Sequence, residues 1–307
     1  MSIALLITDR DLTKLQQGIA QRLPNVNVQC WPNISAPEQV EFAVAWRQPE
    51  NIWQSLPNLK VVSSFGAGCD SIVSDSSLPD KVQVVRIVDP ELAQQMAEYV
   101  LMAVIMLGRG MQHYARQQQQ QHWQPQKRKR GRNVTILGVG NIGNEVAQRL
   151  ISNGYQVTGW ARTAKSERNY PVYCSSTQLV IALAQADFVV NLLPSTPETC
   201  QLINAKFLAN MPLHSYLINV GRGQTVDESA LQQALQQKMI AGAVLDVFQQ
   251  EPLTPDQPLW QNPDVIITPH IAAITSQQTV ITQLCENYRR MTLSMPLLNI
   301  VNRTVGY

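Results

Sequence analysis

The sequence has 307 residues, of which 45% are hydrophobic and 15% charged, with a net charge of +2. That length allows two domains with substantial cores, and so small a net charge gives no global argument for a nucleic-acid or membrane partner. The five cysteines, Cys30, Cys69, Cys174, Cys200 and Cys285, follow neither metal nor disulfide spacing, so reduced thiols, a cytoplasmic address and no metal site are expected.

The chain opens on an apolar run without a basic leader, and Ile3–Ile7 reads as a strand rather than a signal peptide. Leu12–Leu23 has helical periodicity. Val26–Trp31, Phe42–Trp46, Val61–Phe65 and Val82–Val88 are further β-type runs. Such alternation predicts a parallel sheet flanked by helices. The fourth run ends in Phe65-Gly66-Ala67-Gly68-Cys69-Asp70. That is either a plain strand–helix turn or a place where two small glycines present bare backbone N–H groups to a carboxylate. Trp46-Arg47 ends the third run, where Trp46 either packs or borders a pocket.

Glu91 to about Arg116 reads as one long helix, with Leu92, Met96, Tyr99, Val100, Ala103, Val104 and Leu107 on its apolar face. Its longest apolar run, Tyr99–Leu107, is too short to span a bilayer. Polar Gln117–Gln121, His122-Trp123-Gln124-Pro125 and the basic run Lys127–Arg130 follow. The basic run reads as an exposed loop.

Val134-Thr135-Ile136-Leu137 then runs into Gly138-Val139-Gly140-Asn141-Ile142-Gly143, and Glu145–Leu150 continues at helical spacing. Strand, glycine turn and helix start in this order make a dinucleotide site. Gly138 permits the turn, Gly140 lets the pyrophosphate approach, and Gly143 lets helix and strand pack closely. Asn141 and Ile142 would offer N–H groups at the helix N-terminus. The next strand, Gln156–Trp160, ends in Ala161-Arg162-Thr163-Ala164-Lys165. An NAD enzyme places an acid there for the ribose 2′-hydroxyl. Arg162, Thr163 and Lys165 suit a 2′-phosphate instead, which points to NADP(H).

Further βα units follow: a helix at Thr177–Ala186, a strand at Phe188–Leu193 leading to Pro194-Ser195-Thr196-Pro197, and a strand at Tyr216–Val220 before Gly221-Arg222-Gly223. A helix at Asp227–Lys238 has Asp227 as candidate N-cap. Ala243–Leu245 ends at Asp246, and Val265–Thr268 ends at Pro269-His270. Arg222, Asp246 and His270 thus lie just past strand ends, where open α/β sheets bind ligands. A final helix from Ser276 to about Met291 returns the chain to its first domain. The reading is α/β, with two Rossmann-like doubly wound parallel-sheet domains. The substrate domain is discontinuous (1–98 and 276–307), and the NADP-binding domain covers 99–275.

Of the four histidines, His113, His122 and His214 read as surface residues. His270 differs because of its company. Arg222 can clamp a carboxylate and polarise an adjacent carbonyl. Glu251 can accept a hydrogen bond from the imidazole and hold its tautomer. His270 can then deliver a proton to a carbonyl oxygen as hydride reaches the carbon.

These motifs resemble the D-isomer-specific 2-hydroxyacid dehydrogenases along nearly the whole chain. The matching stretches are Phe65–Asp70, Gly138–Gly143, Leu192–Pro197, Asn219–Gly223, Leu245–Phe248 with Glu251-Pro252-Leu253, and Thr268–Ala273. Gly159–Thr163, His122–Pro125, Pro269–Thr275 and Gly306-Tyr307 are similar to a bacterial group of glyoxylate and hydroxypyruvate reductases. The resemblance implies NADPH-dependent reduction of glyoxylate to glycolate and of hydroxypyruvate to D-glycerate. His270 would be the general acid, Glu251 its support, and Arg222 the substrate-orienting cation. Ala67 and Gly68 would hold the substrate carboxylate, Asp246 the nicotinamide carboxamide, and Arg162 and Thr163 the 2′-phosphate. Met96 would face the nicotinamide, and Pro194 would lie on the cofactor side. The resemblance also implies a homodimer, with Trp123 as the candidate to reach the neighbouring subunit's pocket. Two alternatives stay open: an NAD enzyme for another D-2-hydroxy acid, and a dinucleotide-sensing protein like the corepressors of this fold.

Overall fold

In the computed structural model, residues 1–126, 131–163, 165 and 167–304 are described. The basic run Lys127–Arg130, Ala164 and the terminal Gly306-Tyr307 lie outside the described residues.

The first strand, β1 (Ser2–Ile7), is buried at every position. A parallel strand covered on both faces reads as a continuous apolar run rather than an alternating one, and here only Ser2, which accepts from Gln29 Nε2 at 2.9 Å, is polar. The strand's side chains divide between two cores. Ile3, Leu5 and Ile7 join Phe42, Ile19, Leu284 and Tyr288, and Ala4 and Leu6 join Ala43, Trp53 and Ile72 on the opposite face. With β2 (Asn27–Cys30), β3 (Val40–Trp46), β4 (Val61–Ser64) and β5 (Gln83–Val85), it forms a parallel sheet in the order β2-β1-β3-β4-β5. The C-terminal helix Gln277–Thr292 packs on the helix Thr13–Arg22, where Arg22 Nη1 donates to Thr282 Oγ1 at 2.7 Å.

The second sheet contains β6 (Asn133–Leu137), β7 (Gln156–Trp160), β8 (Val172–Tyr173), β9 (Phe188–Asn191), β10 (Tyr216–Asn219), β11 (Gly242–Leu245) and β12 (Val265–Ile267). All pairings are parallel, in the order β12-β11-β10-β9-β6-β7-β8. The chain reverses its direction of travel across the sheet at β6 and β9, which marks the expected ligand-binding edge. One face packs Ile136, Val190 and Ile218 against Val100, Val104, Leu107 and Val146. The other packs Val189 and Leu217 against Leu183, Leu231 and Leu235. The chain thus divides into two doubly wound parallel-sheet units, Met1–Glu91 with Thr275–Tyr307, and Leu92–Ile274. Among the described residues no helix is long and apolar enough to cross a membrane.

Two expectations need correction. The long helix is two helices, Pro90–Arg109 and Met111–Gln119, separated by Gly110 at φ +68°. A left-handed residue ends one hydrogen-bond ladder, and glycine adopts it without a Cβ penalty. Apolar periodicity continues across the break, which hides it from a sequence reading. His113, on the second helix, is half-buried rather than fully at the surface, and its Nε2 is shielded from solvent. The two-residue β8 is invisible in the sequence, since a strand so short leaves no periodic trace.

Candidate active site

The carboxyl edge of the second sheet organises the site. Trp160, Leu137, Asn191, Asn219, Leu245 and Ile267 end their strands and stand in one register row across β7, β6, β9, β10, β11 and β12. Nearly all the candidate residues of this unit follow this row by a few positions.

At β6 the chain turns through Gly138, at φ +91°. A Cβ there would also meet the Leu192 carbonyl oxygen at 3.0 Å, so both conformation and space require glycine. A Cβ on Gly143 would strike the Gly138 carbonyl oxygen, whereas one on Gly140 would meet nothing within 4 Å. The backbone at Gly140 is therefore open. The helix Asn141–Ser152 begins there without a side-chain cap, so neither Asn141 nor Ile142 competes with an anion for its first N–H groups. Next to β6, β7 is followed by Arg162 and Thr163, both exposed, and Lys165, half-buried. Across the edge, Glu198 is held below the usual carboxylate range by its own backbone, then by the Thr196 hydroxyl and the nearby Arg162 charge. The loops after β7 and β9 therefore face each other, and Pro194 lies in the second of them.

The Arg222 turn hangs on a polar knot that the sequence did not disclose. Asn191 and Asn219, opposite each other at the ends of β9 and β10, are buried. Asn191 Nδ2 donates to Asn219 Oδ1 at 2.8 Å and to Thr225 Oγ1 at 2.7 Å. Thr225 Oγ1 donates to the Arg222 carbonyl at 2.6 Å, and Asn219 Oδ1 accepts from Gly221 N at 3.3 Å. Satisfied buried networks of this kind fix a backbone rigidly. The available signal was that two apolar strands, Phe-Val-Val-Asn and Tyr-Leu-Ile-Asn, both end in asparagine.

The turn presses on the next loop at Gly223, where a Cβ would overlap the Phe248 carbonyl. Phe248 N in turn donates to Glu251 Oε1 at 3.1 Å, and Glu251 Oε2 lies 2.8 Å from His270 Nδ1. Arg222, Glu251 and His270 therefore stand on three loops that follow neighbouring strands, and the loops touch through Gly223 and Phe248 and through the Glu251–His270 pair. The His270 side chain is 44% exposed and that of Glu251 21%, so the imidazole can reach a ligand while its Nδ1 side is held. His270 has φ +55°, a left-handed conformation in a non-glycine residue. Asp246 is buried. Its Oδ1 accepts from Thr268 Oγ1 at 2.6 Å and Ile271 N at 2.9 Å, and its Oδ2 from Ala272 N at 2.9 Å. It grips the loop that carries His270. Met96 is also buried, in the core of this unit.

In the other unit, the turn after β4 leaves Ala67 and Gly68 half-exposed. The Ser64 hydroxyl braces it by donating to the Gly68 carbonyl and accepting from Gly66 N. Trp46 packs on this turn: a Cβ on Gly66 would meet its ring at 3.1 Å. Arg10 lies over the Trp46 and Phe65 rings, 5.8 and 4.9 Å from their centroids. Trp123 is 98% exposed.

Residues 101–272 match the family model of the D-isomer specific 2-hydroxyacid dehydrogenase, NAD binding domain. A glyoxylate/hydroxypyruvate reductase A of Serratia proteamaculans is 37% identical over 94% of this chain and 95% of its own. The chain belongs to this family. Among solved structures, a family member from Xanthobacter autotrophicus Py2, in complex with NADPH and MES, superposes with a TM-score of 0.93. It shares 35% identity and covers 100% of this chain and 99% of its own. An NADPH-dependent glyoxylate/hydroxypyruvate reductase of Sinorhizobium meliloti, in complex with NADP and sulfate, has a TM-score of 0.90. Its identity is 29%, over 100% of both chains.

Proposed function

We propose that this protein catalyses NADPH-dependent reduction of glyoxylate to glycolate and of hydroxypyruvate to D-glycerate. The observation that carries the reading is the Glu251–His270 pair at 2.8 Å, set beside the Arg222 turn on the same sheet edge that bears the glycine turn. The open backbone at Gly140, the uncapped helix and the exposed Arg162 and Thr163 fit a 2′-phosphorylated dinucleotide. Asn141, Ile142, Gly143, Lys165 and Pro194 would complete its surroundings. When bound, the reduced nicotinamide supplies a hydride to C2 of the keto acid.

The protein's own groups do the rest. Arg222 orients the keto acid and polarises its carbonyl. His270, its Nδ1 held by Glu251, presents Nε2 and gives its proton to the carbonyl oxygen. The product is a 2-hydroxy acid, and His270 is left neutral until solvent reprotonates it. The Ala67 and Gly68 N–H groups are our candidates for the substrate carboxylate, with Trp46 beside them. Asp246 Oδ2 retains an acceptor position for the carboxamide, and Met96 is the candidate for the nicotinamide face. In this reading the unit Leu92–Ile274 binds cofactor and the other binds substrate. We further propose a cytoplasmic homodimer: among the described residues no disulfide joins the cysteines, and Trp123 is exposed for a partner subunit.

Steady-state kinetics with a panel of short 2-keto acids and both nicotinamide cofactors tests this. NADPH oxidation with glyoxylate and hydroxypyruvate is expected. Tight NADPH binding without oxidation would favour a dinucleotide sensor instead.

A further inference from the structure

We propose that Tyr99 is a positioning residue for His270, acting through Thr268 and Asp246 on the loop that carries the imidazole. The proposal rests on the reading of His270 as the acid.

The loop Thr268–Ile274 contains no helix or strand. At its centre His270 holds a left-handed backbone, which an L side chain adopts only when the surroundings impose it. The imposing group is Asp246. Its carbonyl accepts from His270 N at 2.8 Å. Its carboxylate accepts from the next two N–H groups, Ile271 and Ala272, at 2.9 Å each. The remaining donor is the Thr268 hydroxyl, at 2.6 Å. Among the described residues no cation pairs with this buried carboxylate, so each donor that satisfies it matters.

Tyr99 fixes the direction of that last bond. Its hydroxyl lies 2.6 Å from Thr268 Oγ1. A threonine hydroxyl has one proton, and here it goes to Asp246. Towards Tyr99 it can only accept, so the phenol donates. The chain of donation runs from phenol to hydroxyl to carboxylate, each bond strengthening the next. Burial pushes the Tyr99 phenol up from its ordinary value, which keeps it a donor. Tyr99 is 8% exposed and packed in the core of the unit, so the hydroxyl is aimed rather than free.

The same helix, Pro90–Arg109, holds the other end of the loop. Gln95 stands one turn before Tyr99, on the same face. Its Oε1 accepts from Ile274 N at 2.9 Å, and its Nε2 donates to the Ile274 carbonyl at 3.3 Å. The helix thus clamps the His270 loop at Thr268 and at Ile274. A small displacement of the acid from the carbonyl oxygen is costly to turnover.

The test uses Tyr99→Phe, Thr268→Val and the double variant in the intact protein, with His270→Ala as control. Tyr99→Phe should lower kcat about tenfold. The keto-acid KM and the NADPH Kd, read by fluorescence, should stay within about twofold. The solvent deuterium isotope effect on kcat should rise as proton delivery slows. In the Thr268→Val background Tyr99→Phe should cost nothing further, because the route is already cut. An unchanged kcat, additive losses, or an equal loss of NADPH affinity would each overturn the proposal. Should Tyr99→Phe fail to fold, Thr268→Val alone tests the same route by the same readouts, and an unchanged kcat again overturns it. A fully active His270→Ala would sink the reading of the acid. An inactive His270→Ala beside an unaffected Tyr99→Phe would sink this proposal alone.

Discussion

Both units place a glycine turn after a parallel strand, yet the two turns are built differently. In the unit Leu92–Ile274 the turn uses Gly138 at φ +91° and runs into the twelve-residue helix Asn141–Ser152. In the other unit the Gly66-Ala67-Gly68 turn uses no positive-φ glycine and runs into the four-residue helix Asp70–Val73. The first combines a left-handed turn, an open backbone and a full helix N-terminus, which suits a doubly charged pyrophosphate. The second offers only a few N–H groups braced by Ser64 and Trp46, enough for one carboxylate. A glycine after a strand is therefore weak information by itself; the length of the helix behind it decides which anion it fits.

On the proposed reading, chemistry belongs to one sheet edge and only binding to the other turn, and the largest effect should come from testing that division. His270→Ala is expected to lower kcat by about a hundredfold or more, with NADPH Kd unchanged in a direct titration. Next, Arg162→Asp should weaken NADPH by about ten- to a hundredfold, the worth of a charge-assisted hydrogen bond, and NADH far less. Equal losses for both cofactors would remove the 2′-phosphate assignment.

The turns themselves can then be set against each other. Gly138→Ala forces an L side chain into a left-handed turn at a cost of about 1–2 kcal/mol. It should weaken NADPH by about tenfold and leave the keto-acid KM near normal. Gly66→Ala pushes only on the Trp46 ring and should raise the keto-acid KM by about threefold without touching NADPH. A crossed result, with each variant affecting the other ligand, would break the comparison. The smallest effect is one of stability. Burial opposes ionisation of Asp264, but hydrogen bonds and charge from Lys238 and Arg116 outweigh it and hold its carboxyl below the usual range. That contribution is present above the ordinary carboxylate range and is lost as pH falls through the depressed folded value. Because Lys238 is exposed, Asp264→Asn should cost under about 1 kcal/mol. The loss should appear in urea melts at pH 7 and shrink as pH falls below the ordinary carboxylate range.

Much of the architecture is legible in the sequence. Apolar runs of three to seven residues alternating with 3.6-period segments are what a parallel sheet under helices requires, and the C-terminal helix packs in the core of the first unit's sheet. Single residues with local consequences are legible too, such as Asp227, whose Oδ1 caps Glu228–Gln236 by accepting from Ala230 N at 3.0 Å. The break at Gly110 is not, because one left-handed residue alters direction without altering hydrophobic pattern. Asp246 reads in the sequence only as a cofactor ligand. Its grip on Ile271 and Ala272 depends on contacts between residues more than twenty positions apart.

By itself, the sequence determined most of the order of strands and helices, the glycine turn with its neighbouring cations, and the residue types able to move a proton. These are local properties, set by periodicity, backbone freedom and side-chain chemistry within a few positions. Only the tertiary structure decided that six strand ends stand in one row, and that two asparagines and a threonine tie the Arg222 turn. It also decided that a buried carboxylate shapes the backbone at His270. Those depend on strand register and on burial, and neither exists until distant segments of the chain have packed together.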